Sequence, residues 1–596
     1  MDRNTLLFIV LTAAVLIGWD ALVLRPQREA ALERQRIEQA AQEAAKPDFA
    51  SEISAVDTAT PVSVDEALAK APRRVAIDTE SYKGSINLAG GRIDDLLLKG
   101  YRETLDPESA MIRLLTPAEA QHGHYIEQGF VATTGGEGKL TESLVWSAPP
   151  GAKLTETTPV TLTARFGSLV FEKTYSVDAK FMFTVKQSVR NEGDAPARVT
   201  PYGLVVQRGI PDGAGRYMIL HEGPVAVVGK QLLERKYKKA VSRADEASGE
   251  DGWVGITNKY WLAAAIPPQG QPFKAAFKNV GTETAPIFRA NYTLAEQSIA
   301  PGQHVELTSH LFGGAKDVDI LRGYEASIED GGYGILDLDK AVDWGNLFFL
   351  TRPLFWLLDF FGDHIHNWGI AILLLTLCIK ALLFPLANKA FESMSAMKKV
   401  QPKLEELKTR YGEDKAKLQQ EMMALYQREK INPLAGCLPI IIQMPIFYAL
   451  YKTLFVTIEL RHQPFALWIK DLSAPDPTNI LNLFGILPFD PSATPVLNLA
   501  PAIGVLPLLY GVAMWLQTKM NPPAADPTQQ QIMNFLPFVF VFLFASFPAG
   551  LVLYWFWSSV LSMAQQYVIM KRNGVEVAWG DTLPFLRAKK PALEKK

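Results

Sequence analysis

One lysine in this sequence occupies a position that needs a chemical explanation. Lys380 lies within "LLLTLCIKALLFPL" (373–386), with apolar neighbours for a helical turn on either side. A charge at bilayer depth costs at least about 2.5–3.5 kcal/mol, and ionisable residues at that depth usually serve function. No Asp or Glu lies in the last five apolar segments, so an ion-pair partner is missing. The ammonium must then find water, which predicts a hydrated cavity inside a bundle of membrane helices.

Uncharged polar side chains are available to line such a cavity. Thr376 lies one turn before Lys380 on the same helical face and adds a hydroxyl. Further polar residues within or at the ends of the apolar segments are Gln443, Gln517, Ser558, Ser559, Gln565 and Gln566. A cavity open to the cytoplasm and to lipid would receive hydrophilic peptide on its way across the membrane.

The alternative for Lys380 is snorkelling, in which the aliphatic stem carries the ammonium towards the membrane surface. Leu386, at the end of the segment, is about 9 Å further along a helix, so the stem would reach partway. The same explanation is the preferred one for Lys452, which lies near the end of another apolar segment.

The apolar segments divide the 596-residue chain into parts. Residues 4–24 form an apolar run with no small-residue cleavage site after it, so 1–24 is interpreted as a transmembrane anchor. Residues 25–72 are interpreted as a linker. Five more transmembrane spans are expected within a helical core at 367–571, namely 368–386, 437–458, 499–518, 532–547 and 549–569. The fold class is therefore a polytopic α-helical membrane protein with six transmembrane helices.

A large domain of different character separates the anchor from the core. In "FMFTVKQSV" (181–189), Phe181, Phe183 and Val185 alternate with more polar residues, and "NEGD" (191–194) then forms a turn. Period-2 segments between such turns indicate antiparallel strands. Residues 73–325 are predicted to form one all-β sandwich. Residues 326–366 connect it to the core and include an aromatic stretch broken at Arg352-Pro353, which favours an amphipathic segment in the membrane interface.

The distribution of Lys and Arg predicts the orientation in the membrane. Residues 387–436 carry ten Lys and Arg, and the tail 572–596 is also basic, whereas the loop between the third and fourth spans has only Arg461 and Lys470. The basic loop, the tail and both termini are therefore expected in the cytoplasm. The β domain is expected on the opposite side of the membrane.

The basic loop has the pattern of a helical hairpin over 388–430. Apolar residues recur at spacings of three and four on both sides of "YGED", where Gly412 can end one helix and Asp414 can cap the next. Three methionines lie in this pattern, Met394, Met397 and Met422. They either hold the two helices together or form an adaptable surface for varied apolar peptides. The ten basic against seven acidic residues suit a ribosome or anionic lipid, although charged hairpins are commonly just solvated.

Four stretches resemble the YidC/Oxa/Alb family of membrane protein insertases. They are "NWGIAILLLTLCIKALLFPL", "QEMMALYQREKINPLAGCLPIIIQMPIFYALY", "ELRHQPFALWIKDLSAPDP" and "FPAGLVLYWFWS". Their order and spacing, with a large periplasmic domain, are similar to the Gram-negative form. The resemblance implies insertion and folding of inner-membrane proteins, alone or with the Sec translocon, without nucleotide or other cofactor. It further implies a multi-pass protein of the bacterial inner membrane, with a periplasmic β-super-sandwich that resembles sugar-binding folds.

The same resemblance implies which residues meet the client. The family has a groove open to cytoplasm and lipid with one basic residue, usually arginine, and Lys380 stands at that position. Lysine keeps the charge but loses the planar fork of arginine. The substrate-binding groove is expected to include Lys380, Thr376, Gln443, Met444, Phe447, Tyr554 and Trp555. Partners implied are nascent membrane proteins, the Sec translocon, the lipid bilayer and, through tail and hairpin, the ribosome, with no nucleic-acid sequence recognition.

Two other function classes stay open at this point. A small-solute transporter or channel could use Lys380 to bind an anion, although the sequence shows no inverted repeat. An enzyme or sugar receptor could reside in the β domain, in which no catalytic motif is evident. The sequence has two cysteines, Cys378 and Cys437, and shows no cluster of cysteines and histidines with metal-ligand spacing, so no metal site is expected.

Overall fold

A computed structural model describes residues 61–70, 73–132, 144–215, 219–241, 244–412, 414–429, 438–487, 502–521 and 527–575. The predicted anchor at 1–24 and most of the predicted tail at 572–596 lie outside these residues. The chain folds as two compact units that divide between Asn346 and Leu347. The first unit is largely β and the second is helical, as the change in sequence character predicts.

The first unit contains two sheets, whose strands are numbered in chain order. The strands are β1 (Arg74–Asp78), β2 (Tyr82–Asn87), β3 (Arg92–Arg102), β4 (Met111–Leu115), β5 (His124–Ala132), β6 (Lys153–Leu154), β7 (Val160–Phe166), β8 (Leu169–Val177), β9 (Met182–Asn191), β10 (Ala197–Arg208), β11 (Gly223–Val228), β12 (Gln231–Glu234), β13 (Asp245–Glu250), β14 (Gly252–Thr257), β15 (Trp261–Ile266), β16 (Pro272–Asn279), β17 (Ile287–Leu294), β18 (Gln297–Ile299) and β19 (His304–Ala315). An 11-stranded sheet has the order β13-β16-β17-β10-β5-β3-β2-β1-β6, with β18 beside β10 and β4 beside β3. An 8-stranded sheet has the order β12-β11-β14-β15-β19-β9-β8-β7. Among the described residues of this unit are also the short helices α1 (Val64–Lys70), α2 (Tyr237–Ala240) and α3 (Val318–Glu325) and the 3₁₀ helices Ile328–Asp330 and Leu338–Ala341.

The predicted alternation in β9 is confirmed. Phe183, Val185 and Val189 are buried, whereas Lys186 between them is exposed. The two sheets are joined through their buried faces, where the Gln128 side chain of the large sheet donates to the carbonyl of His310 in the small sheet over 3.0 Å. This is the all-β sandwich that the alternating residues predicted, and it contains buried polar groups that the alternation did not predict.

Lys173 is the clearest of these buried polar groups. It is fully buried on β8, and its Nζ donates to the carbonyls of Gln128 at 2.6 Å and Gly91 at 3.2 Å. The ammonium also lies 4.7 Å from the centre of the Trp146 ring, a cation–π distance. Burial lowers the pKa of Lys173 to about 8. The lysine thus ties the two sheets together with hydrogen bonds, which explains a charged residue in the core without a catalytic role.

The segment after β19 is held by a half-buried carboxyl group at the end of α3. Glu325 accepts a hydrogen bond from the backbone N–H of Asp339 at 2.6 Å. Partial burial, together with the charges of Asp339 and Asp337, raises the pKa of Glu325 to about 7. A carboxyl group whose pKa is raised in the folded state favours the fold when it is protonated. Its contribution is therefore present below about pH 4.5 and is lost as the pH rises towards 7.

We expect Glu325→Gln to remove this pH dependence, because the amide imitates the protonated acid at every pH. At pH 5 the variant and the wild type should show similar amide hydrogen exchange over residues 324–341, and at pH 8 the wild type should exchange faster. Comparison at equal pH cancels the opposite effect of His221 and His310, whose pKa burial lowers to about 4. The exposed Glu329→Gln is the matched control. Equal exchange of wild type and Glu325→Gln at pH 8 would contradict the prediction.

The second unit consists of helices. They are α4 (Phe348–Ile365), α5 (Trp368–Tyr411), α6 (Lys415–Arg428), α7 (Leu438–Val456), α8 (Val505–Met520), α9 (Pro527–Phe544) and α10 (Ala549–Arg572), with short 3₁₀ helices at Ile458–Leu460 and Ile480–Gly485. Each of the last five predicted spans overlaps a helix. Within the described residues, α5 is long and apolar enough to cross a membrane, and Gln530–Phe544 is a shorter apolar helix. The count of six spans stays a prediction.

Two details of the helical unit differ from the expectations. The interfacial segment is not broken at Arg352-Pro353: α4 runs unbroken for 18 residues, because Pro353 lies near its start and removes few backbone hydrogen bonds. The predicted span at 368–386 and the first arm of the hairpin form one 44-residue helix, α5, which includes Pro385 and Pro402. At 1.5 Å per residue this helix is about 66 Å long, roughly twice the thickness of the hydrocarbon layer.

The turn of the hairpin has the predicted chemistry. Helix α5 ends at Tyr411 with Gly412 as its C-cap, and the Asp414 side chain accepts from the backbone N–H of Lys417 at 3.0 Å to cap α6. Lys403 and Glu429 then form an ion pair of 2.6 Å between α5 and the end of α6. Met394, Met397 and Met422 are all half-buried, so their placement is compatible with both interpretations of the methionines.

Candidate functional site

Lys380 lies inside the helical unit with a hydroxyl as its partner. It is half-buried on α5, and its Nζ donates to the Oγ of Ser562 on α10 over 2.8 Å. The described residues around it thus provide a neutral acceptor, which fits the absence of acidic residues from the last five apolar segments of the sequence. Ser562 was missed by the sequence analysis, because nothing in its spacing shows which face of α10 meets α5.

Ser562 belongs to a polar stripe along α10. Tyr554, Ser558 and Ser562 are spaced by four residues and therefore lie on one face of the helix. Tyr554 is buried, and its hydroxyl accepts a hydrogen bond of 3.2 Å from the side chain of Gln443 on α7. Three helices, α5, α7 and α10, thus place polar side chains towards one another within an otherwise apolar bundle.

Burial along these helices changes from one end of the bundle to the other. All residues from Ala549 to Tyr554 are buried in the first part of α10, whereas Trp555 to Gln565 are half-buried or exposed. On α5, buried residues recur up to Ile379, and none occurs from Lys380 to Lys389. On α7 the order is reversed, as its opposite direction requires: Ala449 to Val456 are buried except Tyr451, and 443–448 are not. The bundle is therefore tightly packed at the end where α10 begins and is more open around Lys380. Buried residues return beyond this opening, at Ala390 on α5 and at Gln566, Ile569 and Met570 on α10.

Thr376 does not line this opening, which corrects the expectation. The residue is 1% exposed, and its hydroxyl donates to the carbonyl of Ile372 one turn earlier, over 2.6 Å. Such a bond to the preceding turn satisfies a threonine hydroxyl within its own helix. Thr376 thus belongs to the packed part of α5, below the level where the bundle opens.

Two aromatic residues that are expected in the groove, Phe447 and Trp555, lie against each other. The rings of Phe447 on α7 and Trp555 on α10 are 4.4 Å apart in an edge-on arrangement, and Trp555 also lies 4.0 Å from Phe544. The indole N–H of Trp555 is buried and has no acceptor among the described residues. Met444, one turn from Phe447, is 59% exposed. Phe447 and Trp555 therefore lie between the packed core of the bundle and the opening around Lys380.

The snorkelling predicted for Lys452 is wrong. Its side chain lies on α7 near the packed end of the bundle and is 1% exposed. The neighbouring Thr453 donates to the carbonyls of Ala449 at 2.9 Å and Thr351 at 3.3 Å, which joins α7 to α4. Lys452 therefore belongs to the packed interior of the helical unit and does not reach out to a surface.

Two family models match the chain, one over most of the β unit and one over most of the helical unit. The family model described as 60Kd inner membrane protein matches residues 360–576, and the model described as YidC periplasmic domain matches residues 74–357. Among relatives, the membrane protein insertase YidC of Rhizobium etli (strain CIAT 652) is 46% identical over 611 residues, covering 100% of this chain and 99% of its own. That of Caulobacter sp. (strain K31) is 43% identical over 626 residues, covering 99% and 98%.

Solved structures of the same kind are also similar. The crystal structure of an active YidC insertase with its first transmembrane domain resolved covers 86% of this chain and 95% of its own, at 18% identity and a TM-score of 0.37. The structure of YidC from Thermotoga maritima covers 82% and 98%, at 15% identity and a TM-score of 0.29. The sequence matches place the chain among inner-membrane proteins with a periplasmic β domain. It belongs to the YidC family of membrane protein insertases.

Proposed function

We propose that this protein inserts and folds inner-membrane proteins by passing their polar segments through the groove between α5, α7 and α10. The observation that carries the proposal is the half-buried ammonium of Lys380, bonded to Ser562 where the packed bundle opens. A polar segment that enters there finds hydroxyl, amide and ammonium groups instead of hydrocarbon. Its neighbouring apolar segment can leave into lipid, and each buried CH₂ group contributes about 0.8 kcal/mol to that transfer.

The groove residues have distinct roles in this proposal. Lys380 and Ser562 hold water and attract acidic client residues, and Gln443 with Tyr554 continues the polar surface along α7 and α10. Met444 and Phe447 contact apolar parts of the client, with Trp555 supporting them. Met394, Met397 and Met422 on the hairpin are candidates for first capture. No step requires a nucleotide, metal or other cofactor, and no covalent chemistry is involved.

The proposed orientation follows the lysine and arginine distribution. The hairpin and the tail face the cytoplasm, where ribosomes carrying nascent membrane proteins would meet them, and the β domain faces the periplasm, where the Sec translocon is a candidate partner. Single cysteines at Lys408 and Gly213 in a protein without Cys378 and Cys437 test this arrangement. A membrane-impermeant maleimide should label position 213 in spheroplasts and position 408 only after lysis. Labelling of both positions from the same side would contradict it.

The proposal is tested with the purified full-length protein in liposomes that contain neither Sec components nor nucleotide. A short client with one apolar segment should become protected from protease on the translocated side, and empty liposomes should give no protection. Deletion of residues 73–315, which removes the β strands, should leave most of this activity. Loss of all activity on that deletion would favour a receptor or enzyme in the β domain. Anion flux without insertion would favour a transporter.

A further inference from the structure

The N-terminal ends of three helices converge on one loop of the helical unit. Residues 461–480, the cap loop, follow α7 and the 3₁₀ helix Ile458–Leu460. The first N–H groups of any helix lack partners within that helix and need acceptors from elsewhere. Helices α5, α8 and α10 all begin beside the cap loop, and the loop contacts each beginning in a different way.

Asp476 of the cap loop supplies acceptors to α8. Its Oδ2 accepts from the backbone N–H of Leu506 at 2.7 Å, and its Oδ1 accepts from the N–H of Thr478 at 2.9 Å and the hydroxyl of Thr478 at 2.6 Å. The Thr478 hydroxyl in turn accepts from the N–H of Val505 at 2.9 Å. Asp476 is 5% exposed, so a carboxylate is buried at the positive end of a helix dipole, where negative charge is stabilised.

The cap loop also accepts hydrogen bonds from the starts of α10 and α5. The first two N–H groups of α10, those of Ala549 and Gly550, donate to the loop carbonyls of Ala474 at 2.7 Å and Leu472 at 2.9 Å. Asn367, the N-cap of α5, donates from its side chain to the carbonyl of Phe465 at 2.9 Å. Acceptors from a single loop therefore fix the starts of α8 and α10 and hold the residue that caps α5.

The conformation of the cap loop is itself held by side chains. His462 and Leu467 have positive φ angles of 60° and 54°, a strained conformation for residues other than glycine. The backbone N–H of His462 donates to the Oδ1 of Asp471 at 3.1 Å, and the same oxygen accepts from the N–H of Ser473 at 2.8 Å. Strained residues persist where the surrounding contacts over-determine them, so this loop is built as a rigid piece.

We infer that Asp476 is a positioning residue for insertion, and that the cap loop is the fixed end about which the bundle opens. The helix starts that it ties together lie at the packed end, whereas Lys380 and Ser562 lie where the packing loosens. When a client enters beside Lys380, α5, α8 and α10 can then move apart there but not at the starts that the cap loop holds. The groove widens without becoming a pore through the membrane. This inference rests on the proposed insertase function.

A reversible covalent staple tests the role of Asp476. A Cβ atom on Gly504, the N-cap of α8, would lie 2.7 Å from the Cβ of Asp476. A disulfide needs about 3.5–4.5 Å between Cβ atoms, so a shift of roughly 1 Å suffices. Asp476→Cys with Gly504→Cys, in a protein carrying Cys378→Ser and Cys437→Ser, therefore replaces the carboxylate clamp by a bond that reductant can open. Asp476→Ala and the exposed Asp363→Ala are measured beside it.

The oxidised double-cysteine protein in liposomes should insert a client at the wild-type rate, and reductant should lower that rate by about fivefold, the effect of a lost cap of typical strength. Asp476→Ala should match the reduced protein and Asp363→Ala the wild type, and neither should respond to reductant. Restoration by oxidation separates positioning from a general loss of fold. Equal insertion by the oxidised and reduced proteins, at any level, would overturn the inference.

Amide exchange and the activity of the wild-type protein provide two further tests. Where the double-cysteine protein does not accumulate, amide exchange of Val505 and Leu506 is compared between Asp476→Ala and Asp363→Ala. Exchange about fivefold faster in Asp476→Ala is expected, and equal exchange overturns the inference. Failure of the wild-type protein to insert any client would refute the proposed insertase function itself, whatever the cysteine variants do.

Discussion

Lys380→Met should impair clients whose translocated tails are acidic and should spare clients whose tails are neutral. The variant protein should still enter the membrane, because methionine fits an apolar helix better than lysine does. A carboxylate about 4 Å from the ammonium gains at most about 4 kcal/mol of Coulomb attraction at an effective dielectric constant of ~20, before desolvation is subtracted. Even a third of that attraction would raise the occupancy of the groove by an acidic client tail about tenfold.

The measurement is protease protection of paired clients that differ only in tail charge. Lys380→Arg is the matched control, because arginine keeps the charge and can still donate to Ser562. It should insert both clients at nearly the wild-type rate. If Lys380→Met inserts both clients at the wild-type rate, the Lys380 ammonium is only solvated through the opening and has no role in insertion.

Replacement of Ser558 and Ser562 together by leucine should reduce insertion of every client, whatever its tail charge. The two leucines would convert the polar stripe of α10 into an apolar face and fill the space beside Lys380. The ammonium would lose the acceptor 2.8 Å away, and a buried donor left without a partner costs about 1–3 kcal/mol, more when it is charged. Water and polar client segments would be excluded from the groove.

Ala564→Leu provides the control for that double variant, because Ala564 lies on the same helix and is exposed. It adds a similar apolar side chain away from the stripe and should insert clients normally. Insertion is measured in liposomes at equal amounts of membrane-integrated protein. Normal insertion by Ser558→Leu with Ser562→Leu would mean that clients do not use this face of α10.

The sequence predicts those features that depend on local pattern. The period-2 alternation in β9 predicted its buried face, and Gly412 with Asp414 predicted the turn between α5 and α6. The apolar segments predicted where helices lie but not where they end, since the hydrophobic run of α5 stops near Leu386 while its backbone hydrogen bonds continue to Tyr411. Local polarity and helix length are thus set by different interactions.

Features that depend on packing between distant residues were not predictable. Lys380 and Ser562 are 182 positions apart, and the sequence alone does not tell which faces of their helices meet. The cap of α8 comes from Asp476, 30 positions before the N–H group that it accepts from, whereas sequence signals for caps concern adjacent residues. Thr376 could not be excluded from the groove by its position alone, because its hydroxyl turned back to its own helix.

Site-specific photocrosslinking tests most directly whether polar client segments pass along this groove. A photoreactive residue is placed at Ser562, and in a matched protein at Phe535, an exposed position on α9. A nascent client is then stalled with its polar tail partly translocated. The tail should crosslink to position 562 and not to 535, while the apolar segment of the client is free to reach 535. Crosslinking of the tail to 535 with none to 562 would contradict the groove as the path of insertion.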